Sequence, residues 1–270
     1  MRLFALPPLP EVRPGDDLGA MLAERAAAAG VVSGDVVIVA HKVVSKAEGR
    51  LVELAAVRPG PAARELAERT GKAPALCELI LAESRRIVRQ RGATVICETH
   101  HGLVCANAGI DSSNSPAGSV VLLPRDPDAS ARRLQSCLAQ ALGGRVGVVV
   151  TDTHGRAFRR GLVNVAIGVA GFEPLVDHRG ERDRNGRLLV ATDQALADEL
   201  AAAAGILMGK DAGTPAVVVQ GVPLPPGPGG AGTLVRDPAH DLFRDQVCDY
   251  SASMTAFALA GDAGAPPPRG

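Results

Sequence analysis

Two short segments carry the oxygen donors that a hard cation requires: Asn107-Ala108-Gly109-Ile110-Asp111-Ser112-Ser113-Asn114 and Thr151-Asp152-Thr153-His154-Gly155-Arg156, each following a short apolar run. Carboxylate, amide and hydroxyl oxygens at a strand end suit Mg²⁺ or Mn²⁺, which take one or two carboxylates and complete their shell with water and phosphate oxygens. The same residue types also form Asx-turns, in which Asp or Asn bonds its own backbone, and the residues alone leave both readings open. Basic side chains stand nearby in the sequence. Arg156, Arg159 and Arg160 continue the second segment, and Lys42 and Lys46 follow an early apolar run. Lys and Arg beside a carboxylate-held metal are a usual way to hold a triphosphate, because they neutralise the charge that the metal leaves uncovered. A solvated charged surface is the bland alternative.

Several common devices are absent from the sequence. There is no GxxxxGK[ST] and no GxGxxG after a strand, so neither a P-loop nor a dinucleotide cradle is encoded. No GxSxG elbow supports a hydrolase. His100, His101 and His154 read as polar packing residues, and no catalytic histidine is assigned.

These groups need a scaffold, and the composition supplies one. At 270 residues and 46 % hydrophobic, the chain can bury a sizeable core. The 29 Lys and Arg balance 29 Asp and Glu, so no net field draws it to nucleic acid or an anionic membrane. No window approaches the roughly 18 apolar residues of a membrane span, and prolines interrupt the apolar start, so a cytoplasmic location is expected. Cys77, Cys97, Cys105, Cys137 and Cys248 are scattered without CxxC spacing and are expected to be buried thiols. Aromatic residues are only 2 %, so Val, Leu, Ile and Ala must fill the core and no stacking platform for bases is expected.

Apolar periodicity predicts a helix over 16–29 ending at Gly30, then a buried strand over Val36–Ala40. Two amphipathic helices are expected between Pro61 and Gln90, separated near Gly71–Pro74. Paired strands over 93–98 and 103–106, a strand over 119–123, a helix over 128–142 closed by Gly143-Gly144, and a strand over 145–150 running into TDTHGR follow. Residues 164–171 read as strand or loop, 178–187 as a charged turn, 191–204 as a helix and 216–221 as a buried strand, before a Pro/Gly-rich loop over 223–232. The irregular alternation predicts a mixed α/β or α+β fold with some hairpins. One functional domain over residues 1–261 and a disordered tail over 262–270 are expected.

Four blocks, GDVVIVAHKVVSKAEGRLVEL at 34–54, HGLVCANAGIDSSNS at 101–115, VGVVVTDTHGRAFRRGLVNVAIGVAG at 146–171 and LMGKDAGTPAVVVQG at 207–221, are similar in order and spacing to the signature blocks of the GTP-dependent coenzyme F420:L-glutamate ligases. The resemblance implies two intertwined α/β subdomains, a homodimer, GTP as co-substrate, two divalent cations (Mg²⁺ or Mn²⁺) and K⁺ as a monovalent cation. It implies the addition of one or more L-glutamates to F420-0 through an acyl phosphate; the alternatives are an amide ligase for another carboxylate and a GTP-binding regulator without turnover. Carried over by position, Asp111 and Asp152 match ligands of the first metal and Thr153 a ligand of the second. Leu9, Pro10, Glu11, Val12, His41, Lys42, Lys46 and Asn114 match nucleotide contacts, as do Met208, Gly209, Lys210, Asp211 and Gly213. Some members of the family have a metal-binding glutamate after Met-Gly. This chain has Met208-Gly209-Lys210-Asp211, one residue shorter, so Asp211 is expected to replace that ligand. The residue that orients the incoming glutamate is sought among Arg156 to Arg160.

Overall fold

The computed structural model describes residues 1–209, 213–241 and 243, and the chain divides into two units, Met1–Val235 and Arg236–Gly270. The expected tail over 262–270 and the residues Cys248, Lys210 and Asp211 lie outside the described residues. Of the second unit, a short 3₁₀ turn at Pro238–His240 is described.

The first unit runs β1 (Arg2–Ala5), α1 (Leu18–Ala28), β2 (Val36–Ala40), α2 (His41–Ala47), β3 (Leu51–Glu53), α3 (Pro61–Thr70), α4 (Pro74–Ala82), β4 (Ser84–Arg91), β5 (Thr94–Thr99) and β6 (Val104–Ala106). It continues through β7 (Ser119–Val121), α5 (Pro127–Leu142), β8 (Gly147–Arg156), β9 (Arg159–Ala170), β10 (Val176–Asp177), β11 (Asp193–Gln194), α6 (Leu196–Met208) and β12 (Ala216–Gln220). The principal sheet has the order β1-β12-β2-β8-β9, with β2 and β8 parallel and every other neighbour antiparallel. Three antiparallel sheets, β3-β7, β4-β5-β6 and β10-β11, complete the mixed α/β fold.

The principal sheet is covered on both faces, which explains why its central strands read as continuous apolar runs. Val37, Val39, Val148, Val150 and Val218 pack with Leu22, Leu134 and Leu138 of α1 and α5. Val36, Ile38, Val149, Val217 and Val219 face Leu200, Ala201 and Ala204 of α6. Alternation across the pleat thus serves two cores at once. A third core, with Leu66, Ile80, Val95 and Cys97, joins α3 and α4 to β5. Helix ends follow local chemistry: Asp17 and Asp126 accept from Ala20 N–H and Ala129 N–H at the starts of α1 and α5. Gly71 and Gly143 end α3 and α5 in the left-handed region.

One irregularity shapes the region described below. Along β8–β9 the register steps from Val150↔Gly168 to Thr151↔Ala166, leaving Ile167 as a bulge residue. Backbone N–H groups on either side of it bond to aspartates in the first turns of two helices. Ala166 N–H donates to Asp198 of α6 at 2.8 Å, and Val169 N–H to Asp128 of α5 at 2.9 Å. Asp128 Oδ1 also accepts from Ala231 N–H at 2.8 Å, which ties in the loop after β12. Gly168 allows the start of α5 to approach, because a Cβ there would stand 2.3 Å from the Pro127 carbonyl oxygen. Gly168→Ala is therefore expected to cost about 2–3 kcal/mol through overpacking against backbone, lowering the melting temperature by about 4–10 °C. Thermal unfolding checks this, and an unchanged midpoint would mean that the helix start can move aside freely.

Several expectations need correction. The second helix of the 61–90 region ends at Ala82, and Ser84–Arg91 is a strand paired with β5, because Ile87-Val88 and the available ladder outweigh a weak helical period. Thr151–Arg156 is the distal half of β8 rather than a loop, and 164–171 resolves as strand within the 12-residue β9. The helix expected at 191–204 begins at Leu196 and continues to Met208, since Asp193-Gln194 pair with β10 instead. Cys137 is exposed on α5, whereas Cys77, Cys97 and Cys105 are buried as expected.

Candidate active site

Parallel pairing of β2 with β8 sets Ala40 opposite Thr151, so His41 and Asp152 come side by side at the carboxyl end of β2, where β8 runs on beyond it. Ligand sites in open α/β sheets lie at such ends. Asp152 is 9 % exposed and His41 2 %. Asp152 Oδ1 accepts from Thr153 N–H at 2.6 Å, and Oδ2 lies 3.1 Å from His154 Nε2. His41 Nε2 is 3.1 Å from Oδ1, an ion-pair distance without the direction of a hydrogen bond. Burial pushes the Asp152 carboxyl up, but the charge of His41 and the hydrogen bond from His154 outweigh it and hold the group far below the usual carboxylate range.

The second carboxylate reaches the same place from another sheet. Asp111 forms an isolated bridge with Val121, and the chain before it turns through Asn107 and Ala108, both at positive φ. Asp111 Oδ1 accepts from Ser113 N–H at 2.6 Å, which is the Asx-turn weighed from the sequence. Its Oδ2 lies 2.7 Å from Lys42 Nζ, which also donates to Ser113 Oγ at 2.7 Å. Burial raises this carboxyl too, and the hydrogen bonds from Lys42 and Ser113 more than reverse it, so Asp111 is held ionised. Consecutive residues His41 and Lys42, at the start of α2, thereby bring both carboxylates to one strand end. Five residues into the same helix, Lys46 is 8 % exposed and pairs with Glu11 at 2.6 Å, so the segment from Leu9 to Val12 also reaches α2. Val12 itself is buried in the α1 and α5 core, while Pro10 is exposed.

A third connection runs through Asn164. Thr153 Oγ1 donates to Asn164 Oδ1 at 3.1 Å, and Asn164 Nδ2 lies 3.6 Å from Met208 Sδ. Gly205 makes room, since a Cβ there would stand 2.9 Å from Asn164 Cγ. Met208 and Gly209, at the end of α6, are therefore brought beside Thr153. Gly213 is exposed with φ +60°, and Asn114 is exposed with φ 57°. Arg156, Arg159 and Arg160 sit at the exposed tip of the β8–β9 hairpin.

The donor set fits a divalent cation. Asp111 and Asp152 are held as carboxylates, Thr153 adds a hydroxyl, and all three are the oxygen donors that Mg²⁺ or Mn²⁺ prefers. Among the described residues no group of three His, Cys, Asp or Glu side chains converges into a preformed cage. That arrangement agrees with a cation held through one or two carboxylates and completed by phosphate and water. Asn164 escaped the sequence reading, and His154, expected as a polar packing residue, lies 3.1 Å from Asp152 Oδ2. His154 had a signal, because residues two apart on a strand share a face.

The sequence profile of the F420-0:gamma-glutamyl ligase family matches residues 8–221. The chain is 49 % identical over 251 residues to the coenzyme F420:L-glutamate ligase of Methanopyrus kandleri, covering 90 % of this chain and 98 % of that protein. It is 45 % identical over 247 residues to the enzyme of the same name from Methanothermobacter thermautotrophicus, with coverage of 90 % and 98 %. The protein of that name from Methanocaldococcus jannaschii is 40 % identical over 238 residues, with coverage of 88 % and 94 %. Among the described residues no helix is long and apolar enough to cross a membrane.

Proposed function

Because this chain belongs to the F420-0:gamma-glutamyl ligase family, whose members named above are coenzyme F420:L-glutamate ligases, we propose that it joins L-glutamate to F420-0 by an amide bond, with GTP as co-substrate. Glutamate addition in coenzyme F420 biosynthesis is the activity the chain shares with its family. The observation that supports the nucleotide and metal requirement best is the pair of ionised carboxylates, Asp111 and Asp152, tied to adjacent residues Lys42 and His41 at one strand end. Asp111 and Asp152 would hold one divalent cation, and Thr153 a second, with Asp211, outside the described residues, as its further ligand. A cation there supplies the charge neutralisation and polarisation that phosphoryl transfer demands. K⁺ and a homodimer belong to the same proposal.

The chain's own residues divide the work. Lys42 and Lys46 offer ammonium groups to the phosphate chain, each exchanging a carboxylate partner, Asp111 or Glu11, for phosphate oxygens. Leu9 to Val12, His41, Asn114 and the segment around Met208, Gly209, Lys210 and Gly213 enclose the nucleotide. Held in this way, the γ-phosphorus is attacked by a carboxylate oxygen of the acceptor, its bond to the β-phosphate oxygen breaks, and GDP leaves. The glutamate amine then attacks the acyl carbon. The carbon–oxygen bond to phosphate breaks, inorganic phosphate departs with the electron pair, and the amine loses a proton.

Mass spectrometry of F420-0 incubated with the protein, GTP, L-glutamate and Mn²⁺ tests the reading. A gain of one or more glutamyl units, lost when either GTP or glutamate is omitted, is expected. GTP binding without a mass gain would move the assignment to another carboxylate acceptor, or to a regulator if no acceptor releases phosphate.

A further inference from the structure

A cavity of about 230 Å³ opens where the β9 bulge meets the start of α5, lined by His101, Leu103, Arg125, Asp128, Ile167 and Val235 among others. Val165 pairs with Asp152 on the neighbouring strand, and Ile167, two residues further along β9, lines the cavity. Leu103 lines it from the other side, two residues before Cys105, whose thiol burial and then the Asp152 charge push up to about 12. The cavity and the site described above therefore adjoin.

Its polar groups carry both signs and have unused capacity. Arg125 is exposed, and its guanidinium has no ion-pair or hydrogen-bond partner among the described residues. Asp128 spends Oδ1 on Val169 N–H and Ala231 N–H, while among the described residues Oδ2 accepts nothing. His101 Nε2 is 3.0 Å from the Arg125 carbonyl oxygen, which can only accept, so Nε2 carries the proton and the buried, unpartnered Nδ1 is left with its lone pair. A carboxylate matches Arg125, and an ammonium group matches Asp128 Oδ2. A molecule bearing both is an amino-acid zwitterion. The volume lies below the roughly 300 Å³ at which pockets begin to take drug-sized ligands, which suits an amino acid.

We propose that this cavity is the L-glutamate subsite, in which Arg125 takes a carboxylate while Asp128 Oδ2 holds the amino group, beside the strand pair that carries Asp152. The assignment rests on the ligase reading and shifts the search for the glutamate-binding arginine from the hairpin tip to Arg125. Arg125→Ala and Arg125→Lys keep the carbonyl that His101 uses and remove nothing from the core.

Steady-state kinetics with F420-0, GTP and Mn²⁺ give one arm of the test. Saturation-transfer NMR of L-glutamate, with Mg²⁺ and a non-hydrolysable GTP analogue, gives a second that needs no turnover. Arg125→Ala should raise KM for glutamate about 10- to 30-fold, the loss expected of a charged hydrogen bond, with KM for GTP and kcat within about 2-fold of wild type. Arg125→Lys should recover part of the loss, and the NMR signal should weaken in parallel. An unchanged glutamate KM together with unchanged NMR binding overturns the subsite while leaving the ligase intact. If the wild type makes no glutamyl product, the ligase reading fails and NMR still decides: binding lost in Arg125→Ala supports the subsite, and equal binding in both proteins, or none in either, overturns it.

Discussion

Asp152→Asn should abolish glutamyl transfer while leaving the protein folded. Asparagine keeps an oxygen where Thr153 N–H needs an acceptor, so the local turn survives. What it removes is the negative charge that His41 and His154 surround. Losing the charge-assisted hydrogen bond from His154 and the ion-pair contact with His41 at so buried a group costs about 1–3 kcal/mol of stability. The catalytic loss is of another order. A divalent cation contributes several kcal/mol to stabilising phosphoryl charge, so weakening its ligand should lower kcat by at least about 1000-fold. Circular dichroism and melting establish that the fold persists, and phosphate release in the presence of F420-0 and glutamate measures turnover. Activity within about 10-fold of wild type at saturating Mg²⁺ or Mn²⁺ would remove Asp152 from the metal site.

Lys46→Met should weaken GTP binding by about 100-fold while changing stability little, because a charged contact to phosphate in a shielded position is worth about 2–3 kcal/mol. Methionine retains the length of the buried stem, and the partner released, Glu11, is 72 % exposed and returns to water. The ion pair itself contributes little for that reason. The distinguishing result is a KM for GTP that rises much more than kcat falls. A variant that melts early with normal KM would make Lys46 a structural residue of α2 instead.

The legible parts of this chain are those where one residue pattern has one physical solution. Val36 to Val39 form a β-branched run buried on both faces, and the sequence places that strand at the observed residues. Asp17, Asp126 and Gly143 mark helix ends by their own chemistry. The distal half of β8 is not legible as strand because its partner returns through a two-residue turn, Ala157-Phe158, without the Asn-Gly or Asp-Gly signal of tight hairpins. Phe158 adopts φ 62° there, a conformation that its residue type does not advertise. In the site, Asp111 and Asp152 stood out because carboxylates beside small polar residues suggest metal chemistry. The cavity with Arg125 did not, since its walls come from segments separated by up to 134 positions, between His101 and Val235. Spacing along a chain carries no trace of such a meeting.

The two aspartates that flank the β9 bulge have a mechanical consequence. The last five residues of β9, which include the bulge, are buried and the first four are exposed, so the strand is half foundation and half cantilever. Asp128 and Asp198 grip it from opposite helices near the point where one becomes the other. A load on the projecting arm is borne at that fulcrum, and the buried half keeps its alignment.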